Sequence, residues 1–142
     1  MGFDYDKYIR PDKLPHIWCP GCGHGIVMKG LIRAIDALEL DKNKTAIVSG
    51  IGCASRLPGY MDFCTLHTTH GRAVAFATGI KMARPEMNVI CVGGDGDGVA
   101  IGGNHFIHAC RRNIDMTYLI MNNNIYGMTG GQFSPTTPYG AK

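Results

Sequence analysis

Two short apolar runs, each ending in polar residues able to bind a ligand, constrain this chain most. Val89-Ile90-Cys91-Val92 leads into Gly94-Asp95-Gly96-Asp97, and Met116-Thr117-Tyr118-Leu119-Ile120-Met121 leads into three asparagines and then Ile125-Tyr126-Gly127. Apolar runs of this length read as strands buried on both faces, the kind found in parallel sheets covered by helices. Such a sheet delivers the residues after both runs to one rim, where ligands sit. Asp95 and Asn123, twenty-eight residues apart, then meet as a carboxylate and an amide oxygen beside glycines that permit close backbone approach. These donors suit a hard cation, magnesium above all, with water and phosphate oxygens completing its octahedron. Asp-Gly and Asn-rich segments are also common turns, but the spacing and the flanking strands favour a site. A dinucleotide fingerprint counted from Gly94 fails at Val99, and no glutamate follows to complete an EF-hand.

The remaining pattern fits an α/β fold. Val27, Leu31, Ile35 and Leu38 recur at helical spacing within a helix expected over residues 25–40. Thr45-Ala46-Ile47-Val48 reads as a short buried strand and Phe63-Cys64-Thr65-Leu66 as a weaker one. A second helix runs from Gly71 to Ala83 and stops before Pro85; a third runs from Gly103 to Arg112, with Arg111 and Arg112 at its negative end. This alternation predicts a three-layer fold with a mostly parallel sheet and helices on both faces. With 45% hydrophobic residues in 142, one core is affordable. We expect an N-terminal segment over residues 1–24 and a binding domain over 25–142. No element after the Met116 strand closes the layer, so that domain is expected to lack its C-terminal part. A net charge of +3 with interspersed signs gives no reason to expect nucleic acid. Neither a leader pattern nor a run of ~20 apolar residues stands out, which sets the expectations of no membrane and a cytoplasmic location.

Cys19-Pro20-Gly21-Cys22-Gly23 is a hook that can turn two thiolates toward one centre, and Cys53 follows in its own glycine-rich loop. Such thiolates hold an iron-sulfur cluster or tetrahedral zinc, or they are merely structural. A zinc ribbon would normally bring a second such hook, and there is none. Cys91, in a strand, and Cys110, in a helix, are expected to be core residues.

The hook, together with Ser49-Gly50-Ile51-Gly52-Cys53, His67-Thr68-Thr69-His70-Gly71-Arg72, Gly102-Gly103-Asn104-His105-Phe106 and Tyr126-Gly127-Met128-Thr129-Gly130-Gly131-Gln132, resembles the β subunit of 2-oxoacid:ferredoxin oxidoreductases. GDG followed by NN is similar to the diphosphate-magnesium signature of thiamine-diphosphate enzymes. The resemblance runs from about Pro15 to the last residue and is strongest to the 2-oxoglutarate type. It implies thiamine diphosphate lined by Ile51, Gly52, Cys53, Ala54, His70, Gly96, Asp97, Gly127 and Met128. It implies Mg2+ on Asp95, Asn123 and the backbone carbonyl of Ile125. It also implies a [4Fe-4S] cluster on Cys19, Cys22 and Cys53, with a fourth cysteine that Cys64, Cys91 and Cys110 do not match. Arg56 matches a position where the family can place a basic residue near the substrate carboxylates; a surface arginine is the competing view.

The activity so implied is oxidative decarboxylation of a 2-oxoacid, 2-oxoglutarate first, to its acyl-CoA with electrons passing to ferredoxin, or the reverse carboxylation. Pyruvate and branched-chain 2-oxoacids stay open, as do a decarboxylase without electron transfer and a noncatalytic zinc-knuckle module. Thiamine enzymes generally use a glutamate to activate the cofactor. Glu39 and Glu86, the chain's two glutamates, are not beside the motifs, so a partner α subunit is expected to supply it. Further small subunits are possible partners in such a complex.

Overall fold

The computed structural model describes residues 2–141. Its elements are α1 (His24–Ala37), β1 (Thr45–Ser49), α2 (Leu57–Tyr60), β2 (Cys64–His67), α3 (Ala73–Ala83) and β3 (Asn88–Gly94). A π-helix (Asp95–Ile101), α4 (Gly103–Arg111), β4 (Thr117–Met121) and a hairpin of β5 (Ile125–Tyr126) and β6 (Gln132–Phe133) follow. The first four strands form one all-parallel sheet in the order β2-β1-β3-β4.

Register explains the layering. Ile47 pairs with Ile90 and Val48 with Cys91, and successive side chains point to opposite faces. On one face Ile47, Ile90, Val92 and Met121 pack against Met28, Ile32 and Ile35 of α1. On the other, Val48, Val89 and Cys91 pack against Ala73, Val74 and Ala77 of α3, whose small residues bring helix and sheet close. Three layers with a parallel sheet in the middle result, as the apolar runs imply.

Two expectations are corrected. The buried stripe of α1 is His24, Met28, Ile32 and Ile35; Val27 and Leu31 flank it, and Leu38 is exposed beyond the helix end. Two adjacent rows of this helix are apolar, so periodicity gives its existence but not its phase. Cys110 is exposed on α4, a helix with no fully buried residue, whereas Cys91 is a core residue as expected.

The segment before α1 is bound into the larger core, to which Tyr8 and Trp18 belong. The Tyr8 hydroxyl donates to Asp36, and the backbone N–H of Arg10 donates to the Tyr60 carbonyl at 2.9 Å. Closer to the cysteine hook, the Ile17 N–H donates to the Tyr60 hydroxyl at 3.1 Å. Among the described residues no helix is long and apolar enough to cross a membrane.

Candidate cofactor site

The segments after β1, β2, β3 and β4 meet at the C-terminal rim of the sheet and line a cleft of about 490 Å3, counting the space at its open mouth. Ile51, Gly52, Cys53, Ala54, His70, Gly96, Asp97, Gly127 and Met128 all line it, together with Asp95, Asn123 and Ile125. Residues from four separate stretches of sequence are thereby brought to one place. His24, Tyr126 and Thr129 line it as well.

Asp95 and Asn123 come from neighbouring strands, since Gly94 pairs with Met121 at the ends of β3 and β4. The Asn123 N–H donates to Oδ1 of the buried Asp95 at 3.1 Å, and the Ile125 N–H donates to the Asn123 side-chain oxygen at 3.3 Å. The other Asp95 oxygen accepts from the hydroxyls of Ser134, at 3.4 Å, and Thr136. The Thr137 hydroxyl in turn ties this turn to the Asn124 carbonyl. The side-chain oxygens of Asp95 and Asn123 are hard ligands of the kind magnesium takes, so these side chains fit the ion chemically. Ser134 and Thr136 were not singled out from sequence; only their hydroxyls, in a Ser-Pro-Thr-Thr turn, hinted at capping chemistry.

Asp97 has a different task from Asp95. It is almost fully buried, and its Oδ1 accepts from His70 Nδ1 at 2.6 Å, the Gly71 N–H at 2.7 Å and the Ile51 N–H at 3.1 Å. One carboxylate oxygen therefore holds together the segments following β1, β2 and β3. A Cβ on Gly50 would lie 2.2 Å from Asp97 Oδ2, so only glycine leaves room for the clamp. Asp97 lines the cleft, but its Oδ1 is engaged by the protein itself.

From Asp95 to Ile101 the chain is wound as a π-helix, a rare form found at functional sites. Its glycines are sites of contact: a Cβ on Gly96 would meet the Tyr126 ring at 2.5 Å, and one on Gly98 would lie 1.6 Å from the Tyr118 hydroxyl. The Tyr126 ring also meets that of His70 edge-on, with centroids 6.2 Å apart. The glycines thus let backbone approach aromatic walls as well as a ligand.

Cys53 sits beside this cleft, and a Cβ on Gly127 would be 3.6 Å from its sulfur. The hook reaches it through Trp18, a buried ring packed against Tyr60 and His24, whose indole N–H donates to the Cys53 carbonyl at 2.7 Å. Burial, and then the neighbouring Cys19 and Cys22, push the Cys53 thiol up. Among the described residues no three His, Cys, Asp or Glu side chains converge at ligating distance. Cys64 and Cys110 are exposed elsewhere and Cys91 is buried in the sheet. The thiolates of Cys19, Cys22 and Cys53 are of the chemical kind an iron-sulfur cluster takes, and such a cluster takes four.

His24 opens α1, lines the cleft and is buried with Nδ1 unpartnered. Burial holds its imidazole below the usual histidine range, and a Cys22 backbone hydrogen bond acts in the opposite sense. Arg56 does not line the cleft; it borders a separate recess. Glu39 lies just past the end of α1, and Glu86 pairs with Arg84, so neither is among the residues lining the cleft.

Residues 50–142 match the family described as thiamine pyrophosphate enzyme, C-terminal TPP binding domain. The chain is 61% identical over 142 residues to a 2-oxoglutarate synthase subunit KorB of Archaeoglobus fulgidus, covering 100% of this chain and 53% of that protein. It is 64% identical over 136 residues to the protein of that name in Methanocaldococcus jannaschii, covering 96% and 50%. It is also similar in structure to a chain of the 2-oxoglutarate:ferredoxin oxidoreductase from Magnetococcus marinus, solved with 2-oxoglutarate, coenzyme A and succinyl-CoA bound. There the TM-score is 0.89 at 47% identity, over 98% of this chain and 50% of the other. The chain thus spans about half the length of these curated relatives.

Proposed function

Because the chain belongs to the thiamine pyrophosphate enzymes, through their C-terminal TPP-binding domain, we propose that its cleft holds the diphosphate end of thiamine diphosphate through Mg2+. Asp95, Asn123 and the Ile125 carbonyl are the proposed ligands of the ion. The observation that carries this reading is the union of Asp95 and Asn123 at the ends of adjacent parallel strands, bridged by a 3.1 Å hydrogen bond. The whole protein is proposed to oxidise a 2-oxoacid, 2-oxoglutarate first, to its acyl-CoA as a β subunit, or to run the reverse carboxylation. Residues 1–24 then serve as the segment bearing the cysteine hook and 25–142 as the binding domain. An α subunit supplying the activating glutamate, ferredoxin and further small subunits are the proposed partners, in the cytoplasm.

Thiamine diphosphate, when bound, supplies the electron sink that decarboxylation of a 2-oxoacid needs. The chain's residues position and insulate it. Asp97 accepts the Nδ1 proton of His70, which fixes the ring and leaves Nε2 free to serve a diphosphate oxygen. Gly52 and Gly96 give backbone access, and the Met128 side chain offers an apolar support for the cofactor's rings. Cys19, Cys22 and Cys53 are proposed to hold three corners of a [4Fe-4S] cluster beside the cleft, placing an electron acceptor within a short reach of the chemistry.

The test is anaerobic purification with whatever subunit accompanies the chain, followed by assay of iron, sulfide, zinc, magnesium and thiamine diphosphate on one sample. Iron, sulfide and thiamine diphosphate together are expected. Zinc without the cofactor overturns the reading. In the assembled enzyme Asp95→Ala should abolish thiamine diphosphate binding, and unchanged binding removes the metal assignment. Cys53→Ala should erase the cluster's paramagnetic signal, and turnover with 2-oxoglutarate, pyruvate and branched-chain 2-oxoacids decides the substrate.

A further inference from the structure

The hydrogen bond between His70 and Asp97 fixes one atom of the imidazole but not its plane. Nδ1 is held 2.6 Å from Asp97 Oδ1, and because a carboxylate oxygen accepts over a broad range of directions the ring can still tilt about that contact. Nε2, on the far side of the ring, swings with the tilt. A second contact restricts this freedom. The Tyr126 ring meets the His70 ring at 84° with centroids 6.2 Å apart, an edge-to-face pairing within the range that aromatic rings favour.

Tyr126 is itself held from two sides. A Cβ on Gly96 would lie 2.5 Å from Cε1 and 2.7 Å from Cδ1 of its ring, so the ring rests directly on the backbone of the π-helix. The Tyr126 backbone pairs with Gln132 in the β5–β6 hairpin, and its carbonyl accepts from the Gly131 N–H at 3.0 Å. Tyr126 therefore joins the hairpin to the segments after β2 and β3, and it lines the cleft together with His70 and Gly96. Both side-chain contacts are made by the ring.

We propose that Tyr126 is a positioning residue, whose ring, seated on Gly96, sets the plane of the His70 imidazole and with it the aim of Nε2. The inference rests on the reading of the cleft as a thiamine diphosphate site, in which Nε2 serves a diphosphate oxygen. Asp97 then holds one point of the imidazole and Tyr126 its orientation. An aliphatic side chain at 126 leaves the hydrogen bond to Asp97 in place and frees the tilt, so the donor to the diphosphate is less well organised before the cofactor arrives.

The test is calorimetric titration of thiamine diphosphate, at saturating Mg2+, into the assembled enzyme stripped of cofactor. The parent is compared with Tyr126→Phe, Tyr126→Leu, His70→Ala and the double variant of the last two, each first checked for assembly by gel filtration. Tyr126→Phe keeps the ring and should bind within about twofold of the parent, whereas Tyr126→Leu should bind about fivefold more weakly, the scale of one edge-to-face pair. In the double variant the leucine should cost less than about twofold beyond His70→Ala, because its effect runs through the imidazole. A merely structural role gives losses that add. If Tyr126→Leu does not assemble, Tyr126→Met serves the same comparison. Unchanged affinity without the ring, an equal loss in the phenylalanine variant, or additive losses overturn the proposal. A parent that binds no thiamine diphosphate overturns the reading of the cleft itself, and the inference falls with it.

Discussion

His70 Nδ1 lies 2.6 Å from Asp97 Oδ1, and that oxygen also takes the backbone N–H groups of Gly71 and Ile51. A single buried atom thus sets the relative positions of three strand ends. Asp97→Ala should cost about 3 kcal/mol, because it strips the partner from several buried donors at once. Asp97→Asn keeps an acceptor for the two backbone donors but removes the charge facing His70, and should cost only about 1 kcal/mol. Both should weaken thiamine diphosphate binding at least about tenfold. Urea unfolding and calorimetric titration of the cofactor check the pair.

Gly98 and Tyr118 make a second coupled pair. Gly98→Ala should destabilise by more than about 2 kcal/mol, since its methyl would overlap the phenol oxygen. Tyr118→Phe removes a buried hydroxyl that has no partner and should be neutral or stabilising by up to about 1 kcal/mol. In the double variant, Tyr118→Phe should relieve part of the alanine's cost, leaving a remainder because the ring carbon would still lie 2.7 Å away. A double-mutant cycle by urea denaturation measures this coupling.

Cys91 gives a pH dependence. Burial pushes its thiol up to about 12, with the charge of Asp97 adding to the effect. An unfolded thiol loses its proton at about pH 8.5. Between those values the unfolded chain is deprotonated while the folded chain is not, so stability falls as pH rises, by about 1.4 kcal/mol per pH unit for this group. Below that window the group contributes no slope. Cys91→Ala should flatten the decline between about pH 9 and 11 relative to the parent, as read by urea midpoints across that range. Burial also pushes the Tyr118 phenol up, so its effect has the same sign at higher pH.

Trp18→Phe should keep most of the packing against Tyr60 and His24 while losing the bond to the Cys53 carbonyl. The expected cost is about 1 kcal/mol, with a lower iron content after anaerobic reconstitution and little change in thiamine diphosphate binding. Iron and cofactor assays on one preparation separate the two effects.

The strands and the site's outline were legible because they rest on short-range signals. Unbroken apolar runs gave β3 and β4, and topology alone then brought Asp95 to Asn123. Signals depending on three-dimensional packing were not legible. Two apolar rows hid which side of α1 faces the sheet, and a short Gly-Asp repeat looks like a turn whether or not it is wound as a π-helix. The burial of Asp97 Oδ1 follows from where β1 and β2 end, which no local pattern around Asp97 encodes. Arg56 follows Cys53 by three residues, yet the intervening helical turn directs it to the other recess.

The hydroxyl cap on Asp95 changes what ion binding means here. Both carboxylate oxygens already accept hydrogen bonds, from the Asn123 N–H and from Ser134 and Thr136. Oδ1 takes one hydrogen bond and keeps a lone pair, whereas Oδ2 already takes two, so the proposed cation meets Oδ1 freely and reaches Oδ2 only by displacing the hydroxyls. Were the proposed ion to take Oδ2, its loading and the release of the turn around Ser134 would be one equilibrium, and protease accessibility of that turn should then track magnesium occupancy.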